Sequence, residues 1–249
     1  RELDYGVIVN KWLFQRAAKK QDVYLFDSSE APELYEAIYT DTPEAFEEKM
    51  MKFASEQPDK VKAVPALDVL KAIMKERMET GRVYLFFADE ANRHSPYKDT
   101  IYSSNLCSEI SIVSKGYKSY DELYRTDDNV DGVVGFCNLA GIVLDRVESD
   151  EQYQEVAYYA LLLIDEGINN SDLGFLQLNK SIRDWRSAGV GVLGLAHLMA
   201  KKGLSYSSQE GRDYCHRLAE RHSFMLHEAA VKLAKERGIA NNSHRTKYP

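Results

Sequence analysis

Asn105-Leu106-Cys107-Ser108-Glu109-Ile110 places an amide, a thiol and a carboxylate at alternating positions. The residues around it predict a β-strand over 105–113, and side chains two apart in a strand point to the same face. We therefore expect Asn105, Cys107 and Glu109 to share one face as a candidate catalytic group. The competing interpretation is a buried cysteine on an edge strand with two solvated neighbours, because free cysteine is among the most buried residue types.

Strands and helices alternate on both sides of this stretch. The predicted strands are 4–9, 23–26, 83–87, 105–113 and 132–139. The predicted helices are 10–19, 33–39, 43–55, 65–79, 150–168, 174–185 and 209–237, with a glycine-containing segment 187–192 that leads into a helix through 200. Polar connections are predicted over 89–98 and 115–131. This alternation indicates an α/β fold with a largely parallel sheet or barrel, and the chain becomes mostly helical after Cys137.

Composition limits the classes of function. The length of 249 residues is typical of one large domain or two small ones. A composition of 44% hydrophobic and 29% charged residues is typical of a globular protein. A net charge of -7 argues against a general nucleic-acid binder or a membrane-surface protein. No apolar run approaches the roughly 18 residues of a membrane span. Three cysteines without a C-x-x-C and six scattered histidines predict a reducing, cytoplasmic compartment and no structural zinc site.

Other reactive residues have plainer interpretations. Cys137, taken alone, is typical of a small core residue, and Cys215 in the middle of a predicted helix indicates packing. Residues 189–194 spell G-x-G-x-x-G, but the polar segment before them is not a strand, so close backbone packing at a helix start is favoured over nucleotide binding. His94 with Cys107 would suit a Cys/His hydrolase, although a turn role for His94 is favoured.

Five blocks in order along the chain resemble the catalytic (large) subunit of ribonucleotide reductases. The blocks are Asp4-Tyr5-Gly6-Val7, Thr80-Gly81-Arg82-Val83-Tyr84 with Asn92-Arg93-His94-Ser95-Pro96, residues 104–110, Phe136-Cys137-Asn138-Leu139-Ala140, and residues 186–196. Residues 104–110 are similar to the S-N-L-C-x-E-I finger-loop motif, and 136–140 to the C-N-L-A strand of a redox cysteine. The resemblance identifies residues 1–249 as part of the barrel domain of a class I-like subunit. It implies a partial ten-stranded α/β barrel with the finger-loop region and a helix-rich C-terminal half.

The resemblance also implies roles for individual residues. Cys107 would carry the transient thiyl radical that abstracts the ribose 3′-hydrogen. Glu109 would take the proton of the 3′-hydroxyl, and Asn105 would hydrogen-bond the same edge of the sugar. Cys137 would be one of two thiols that supply reducing equivalents and end as a disulfide, and it would lie close to Cys107. Leu139 would line the substrate pocket.

The implied partners extend beyond the chain. They are the ribonucleotide substrate, a thioredoxin- or glutaredoxin-type reductant, and a separate metal-containing small subunit that supplies the radical, with no cofactor bound directly here. No nucleic-acid polymer or membrane is expected. The family pattern puts the thiol partner of Cys137 and the first half-barrel upstream of residue 1, and the tyrosine pair and shuttle cysteines downstream of residue 249. The chain is therefore expected to be a fragment that needs the remaining large-subunit segments and is inactive alone.

Two alternatives stay open at this point. The first is a structural or interaction remnant that keeps the fold without turnover. The presence of Asn105, Cys107 and Glu109 together favours catalytic use over that interpretation. The second is the unrelated Cys/His hydrolase, which requires a histidine within hydrogen-bond reach of Cys107.

Overall fold

The structure is a computed structural model that describes residues 3–105, 107–125, 127 and 129–247. The chain divides into two compact units at residues 114 and 115, and the first unit also takes in the segment from residue 245 onward. Each unit has its own hydrophobic clusters and is described separately below.

The first unit alternates strands with helices. Its elements are β1 (Tyr5–Val9), α1 (Lys11–Ala18), β2 (Asp22–Phe26), α2 (Pro32–Thr40), α3 (Pro43–Glu56), β3 (Val61–Pro65), α4 (Ala66–Thr80), β4 (Val83–Phe87) and α5 (Ala88–His94). β1 pairs in parallel with β4, with Tyr5 opposite Val83, and β2 pairs antiparallel with β3. The predicted strands at 4–9, 23–26 and 83–87 are confirmed.

Short-range capping fixes the helix ends in this unit. The side chain of Asn10 accepts a hydrogen bond from the Leu13 N–H at the start of α1. Thr42 Oγ1 likewise accepts from the Ala45 N–H, 3.3 Å away, and opens α3. Gly81 ends α4 in the left-handed conformation with φ of 67°, which a side chain would disfavour. The helix predictions over 10–19, 43–55 and 65–79 are confirmed to within a residue or two.

Two hydrophobic clusters stabilise the first unit. In the larger one Trp12 packs edge-on against Phe46, with 5.1 Å between ring centroids, above the fully buried Met50. The smaller cluster consists of Tyr39, Phe86, Ala88 and Ile101. Because Ile101 precedes Cys107 by six residues, the smaller cluster forms the base from which the Cys107 segment leaves the core.

The second unit is mostly helical. Its elements are β5 (Asn138–Val143), α6 (Asp150–Asn170), α7 (Leu176–Trp185), β6 (Ala188–Leu193), α8 (Leu195–Lys201) and α9 (Gln209–Arg237). β5 and β6 pair in parallel, with Leu139 opposite Gly189. One face of this pair packs on the helices through Ile142 and Val190. The polar connection over 115–131 is closed by an antiparallel bridge between Lys115 and Val133.

Three local predictions are wrong. The described residues 105 and 107–113 form no strand, because nearby side chains take the hydrogen bonds of the backbone that a neighbouring strand would use. The polar segment 89–98 contains helix α5, whose first turn carries acidic and last turn basic residues, as the helix dipole favours. The segment 187–192, expected as the entry to a helix, is itself strand β6, because it finds a parallel partner in β5, whereas the helix predicted to run through 200 is confirmed as α8.

A fourth prediction is shifted. The strand expected over 132–139 begins only at Asn138 and runs to Val143, so Cys137 comes immediately before it. In the described ranges the structure has six strands in three two-stranded sheets, two parallel and one antiparallel. The α/β class is confirmed, whereas no closed barrel is formed by the described residues. No helix in that part of the chain combines the length and the apolar character that a membrane crossing requires.

Candidate active site

The Cys107 segment is a loop closed by its own side chains. Ser104 Oγ donates to the Ile110 carbonyl at 2.6 Å, and the Ile110 N–H donates to Asn105 Oδ1 at 3.0 Å. Inside this closure the Ser108 N–H donates to the Asn105 carbonyl at 3.0 Å, as in a tight turn. Both backbone groups of Ile110 are thereby satisfied, so the loop holds its shape without a strand partner.

The loop presents the predicted catalytic residues outward. Asn105, Cys107 and Glu109 are exposed, whereas Ser104, Ser108 and Ile110 are half-buried. The alternation of exposure expected for a strand is therefore present although the strand is absent. Leu106, which was expected on the opposite face, lies outside the described residues. Ser108 has a φ of 63°, an unusual value for a residue other than glycine.

Asn92 anchors the base of the loop. Its Nδ2 donates to the carbonyls of Ala88 and Ile101, both at 2.9 Å, and its Oδ1 accepts from the Ile101 N–H at 2.8 Å. The amide thus binds the backbone of Ile101 as a neighbouring strand would. Next to it the Tyr102 hydroxyl donates to the carboxylate of Glu36. Burial, and then this hydrogen bond, raise the pKa of Tyr102, which keeps the phenol protonated.

Cys137 and Leu139 lie together in the second unit. A Cβ added to Gly189 would come within 2.7 Å of Leu139 Cδ2 and 3.2 Å of Cys137 Sγ, so both side chains lie over the backbone of β6 at this glycine. Cys137 is half-buried, and Leu139 is 64% exposed. The interpretation of residues 189–194 as a place of close backbone packing is confirmed at Gly189, on a strand instead of at a helix start.

Hydrogen bonds at the start of β6 hold this pair of strands in register. The backbone N–H of Asn138 and its Nδ2 both donate to the Ser187 carbonyl, at 3.3 and 3.4 Å. The preceding Arg186 adopts the left-handed conformation and forms an ion pair with Asp165 of α6, with Nε donating to Oδ1 at 2.8 Å. Arg186, which comes just before Ser187 and strand β6, is thus fixed to helix α6.

The remaining reactive residues have other contacts. His94 Nε2 lies 3.3 Å from Glu90 Oε2, and no hydrogen bond joins Cys107 to a histidine among the residues that the structure describes. The sulfur of Cys215 is 3.7 Å from Met199 Sδ inside the second unit, in keeping with the packing role expected for it. All three cysteines are free thiols. Cys107 belongs to the first unit and Cys137 to the second, so their proximity stays a prediction.

Sequence reasoning did not find two of the residues that shape the loop. Ser104 and Asn92 belong to blocks that carried the resemblance, but no role was expected for either. The local signal was weak, since one serine or asparagine in a polar segment shows no periodicity. Their function depends on which backbone groups come within reach after folding.

Comparison with known proteins agrees with the blocks. The family described as "Ribonucleotide reductase, barrel domain" matches residues 1–249. Ribonucleoside-diphosphate reductase subunit alpha of Haemophilus influenzae is 32% identical over 251 residues, which cover all of this chain and 32% of that protein. Ribonucleoside-diphosphate reductase 1 subunit alpha of Escherichia coli is 30% identical, again over all of this chain and 32% of that protein. The subunit alpha of Enterobacteria phage T4 is 31% identical, covering 96% of this chain and 30% of that protein.

The chain belongs to the ribonucleotide reductase barrel-domain family. Within that family its curated relatives are alpha subunits of ribonucleoside-diphosphate reductase, and the chain spans about a third of their length. The predicted family is therefore confirmed. Membership of this family also leaves no ground for an unrelated Cys/His hydrolase. That alternative required a histidine bonded to Cys107, whereas His94 lies beside Glu90.

Proposed function

We propose that this chain supplies the radical-bearing loop and one redox thiol of a ribonucleoside-diphosphate reductase large subunit. The observation that carries the proposal is the loop 104–110. It has the family's motif, it is closed by the hydrogen bonds that join Ser104 and Asn105 with Ile110, and it exposes both Cys107 and Glu109, which are two residues apart in the sequence. A substrate ribonucleoside diphosphate follows from the activity for which the relatives are named.

We further propose that residues 1–249 are part of one barrel domain that strands outside this chain complete. Parallel sheets are normally covered on both faces. Large apolar side chains on the two parallel pairs are nevertheless exposed, and they are Tyr5, Ile8, Phe87, Leu139, Val143, Val192 and Leu193. Additional strands and substrate would cover these surfaces, which supports a ten-stranded barrel.

The proposed chemistry begins at the loop. A thiyl radical on Cys107 takes the ribose 3′-hydrogen as an S–H bond forms and a C–H bond breaks. Glu109 then accepts the proton of the 3′-hydroxyl, which assists loss of the 2′-hydroxyl as water. Because Asn105 Oδ1 already accepts from the Ile110 N–H, its Nδ2 is the atom proposed to donate to the sugar.

Reduction is proposed to use Cys137 and a second thiol from outside this chain. The two thiols together give up two protons and two electrons and form a disulfide. One of these hydrogens ends on the 2′-carbon, the other leaves with the 2′-hydroxyl as water, and Glu109 returns its proton to the 3′-oxygen. Cys107 returns its hydrogen to the 3′-carbon, which regenerates the radical. Leu139, on the strand beside Cys137, is proposed to contact the substrate.

The proposal includes the partners that this sequence of steps requires. A separate small subunit generates the radical with its own metal centre, and a thioredoxin- or glutaredoxin-type protein resets the disulfide by thiol exchange. The site operates in a reducing, cytoplasmic setting. Within this chain the protein groups position the reactants, and the segments that complete the barrel would keep water from the radical.

Variants in the complete reductase that contains this chain test the proposal by formation of deoxynucleoside diphosphate. Cys107→Ser abolishes turnover, whereas Cys215→Ser, the matched control among the thiols, retains it. Glu109→Gln lowers the rate by about 10²–10⁴-fold, the range of general acid–base catalysis, while the exposed control Glu79→Gln does not. Normal turnover in Cys107→Ser and Glu109→Gln would instead identify a non-catalytic structural piece.

A further inference from the structure

Cys137 rests on strand β6 at a position that has no side chain. The distance from a Cβ built on Gly189 to Cys137 Sγ would be 3.2 Å, and to Leu139 Cδ2 2.7 Å. Carbon atoms in good contact are about 3.5–4.0 Å apart, and sulfur is larger than carbon. The sulfur therefore occupies space that any other amino acid at position 189 would fill.

The requirement for glycine at 189 is steric. The glycines with positive φ are Gly81, Gly174, Gly194, Gly203 and Gly238, so the backbone of Gly189 is open to any residue. Gly191 lies two residues further along the same strand, on the same side of the pleat, and a Cβ there would have no atom within 4 Å. The two glycines of the G-x-G sequence thus differ in one respect, which is the contact with Cys137 and Leu139.

The placement of a redox sulfur limits its chemistry. A disulfide forms only when the two Cβ atoms are about 3.5–4.5 Å apart and the dihedral about the S–S bond is near ±85–100°. A shift of a few tenths of an ångström, or a change of the Cys137 rotamer, alters how the sulfur meets its partner. Register is already held by the hydrogen bonds from Asn138 to Ser187, so a Cβ at position 189 would displace the side chain of Cys137 and not the strand.

We infer that Gly189 is a positioning residue for the Cys137 thiol, setting the rotamer from which the proposed redox disulfide forms. The inference rests on the redox role proposed for Cys137. With alanine at 189 the sulfur moves off β6 towards the exposed side of the strand pair. The thiol then becomes more accessible and less well placed for bond formation.

Gly189→Ala and Gly191→Ala in the complete reductase provide the test, with iodoacetamide labelling of Cys137 followed by peptide mass spectrometry. We expect faster alkylation of Cys137 in Gly189→Ala than in Gly191→Ala, at equal melting temperatures. We also expect kcat to fall about tenfold in Gly189→Ala and to stay unchanged in Gly191→Ala. A displacement of a reacting atom by about 1 Å can cost about 100-fold in rate, and the displacement of the sulfur is expected to be well below that. Equal alkylation rates and equal kcat in the two variants would overturn the inference.

Two further variants separate the possible failures. Adding Leu139→Ala to Gly189→Ala removes the leucine contact and leaves the sulfur contact, so altered alkylation of Cys137 persists. Restoration of the normal rate would show that position 189 acts through Leu139 and would overturn the inference. Cys137→Ser tests the redox role itself. Normal turnover in Cys137→Ser would refute the redox role of Cys137. If Cys137→Ser lost turnover but Gly189→Ala changed neither kcat nor alkylation, only the positioning role of Gly189 would be refuted.

Discussion

Replacing Asn92 by alanine removes the anchor under the Cys107 loop. The amide makes three hydrogen bonds, two of them to the N–H and carbonyl of Ile101, a residue with no exposed surface. A typical hydrogen bond contributes about 0.5–1.5 kcal/mol, and a buried polar group left without a partner costs about 1–3 kcal/mol. We expect Asn92→Ala to lower the free energy of unfolding of the first unit by about 2–4 kcal/mol.

The two tryptophans make this measurable unit by unit. Trp12 is in the core of the first unit and Trp185 at the end of α7 in the second. In a Trp185→Phe background, urea unfolding followed by fluorescence reports on Trp12 alone, and hydrogen exchange at the Ile101 amide gives the local opening. We expect a lower midpoint and faster exchange in Asn92→Ala.

Arg93→Ala is the matched control for this prediction. Arg93 is the next residue on the same short helix, it is exposed, and its ion pair is with Glu90 on the surface. Surface pairs of this kind contribute about 0–1 kcal/mol. If the free energies of unfolding of Asn92→Ala and Arg93→Ala agreed within about 0.5 kcal/mol, the anchoring role of the amide would be refuted.

Other expectations concern stability and activity. Gly211→Ala puts a Cβ 2.0 Å from the Ser205 carbonyl oxygen and should cost about 3 kcal/mol or more in urea unfolding. Gly167→Ala, inside α6 with no atom within 4 Å of the new Cβ, should stabilise by about 0.5–1 kcal/mol, and a loss would contradict the open surroundings. The isolated 249-residue chain is expected to form no deoxynucleotide with any added dithiol, and turnover by it would refute the need for a second thiol from elsewhere.

Elements with local signals could be predicted from the sequence. Thr42 before Pro43 located the start of α3, Gly81 located the end of α4, and Ser208 opens α9 by accepting from the Gly211 N–H at 3.0 Å. In each case the determining hydrogen bond or backbone conformation lies within a few residues of the chain. β1 and β4 could also be predicted, for a different reason, since their runs of apolar residues are typical of parallel strands, although their pairing is long-range.

The loop and β6 could not be predicted in this way. The residue types around Asn105, Cys107 and Glu109 suggested a strand, but Ser104 and Asn105 bind Ile110 and take the place of a partner strand. β6 has weak strand propensity because of its glycines, and it becomes a strand through its pairing with β5, some 50 residues earlier. The identities of the candidate residues followed from the family blocks, whereas the contacts that hold them depend on the folded chain.

The backbone of Ser108 restricts how this loop can vary in sequence. The residue follows Cys107 at a motif position that accepts different side chains, yet its φ of 63° is reached readily only by glycine, asparagine and aspartate. Valine, isoleucine or threonine at this position would push the turn out of shape without changing any chemical group of the site. Among natural variants of this protein, position 108 should therefore be open to changes in polarity and closed to branching at Cβ.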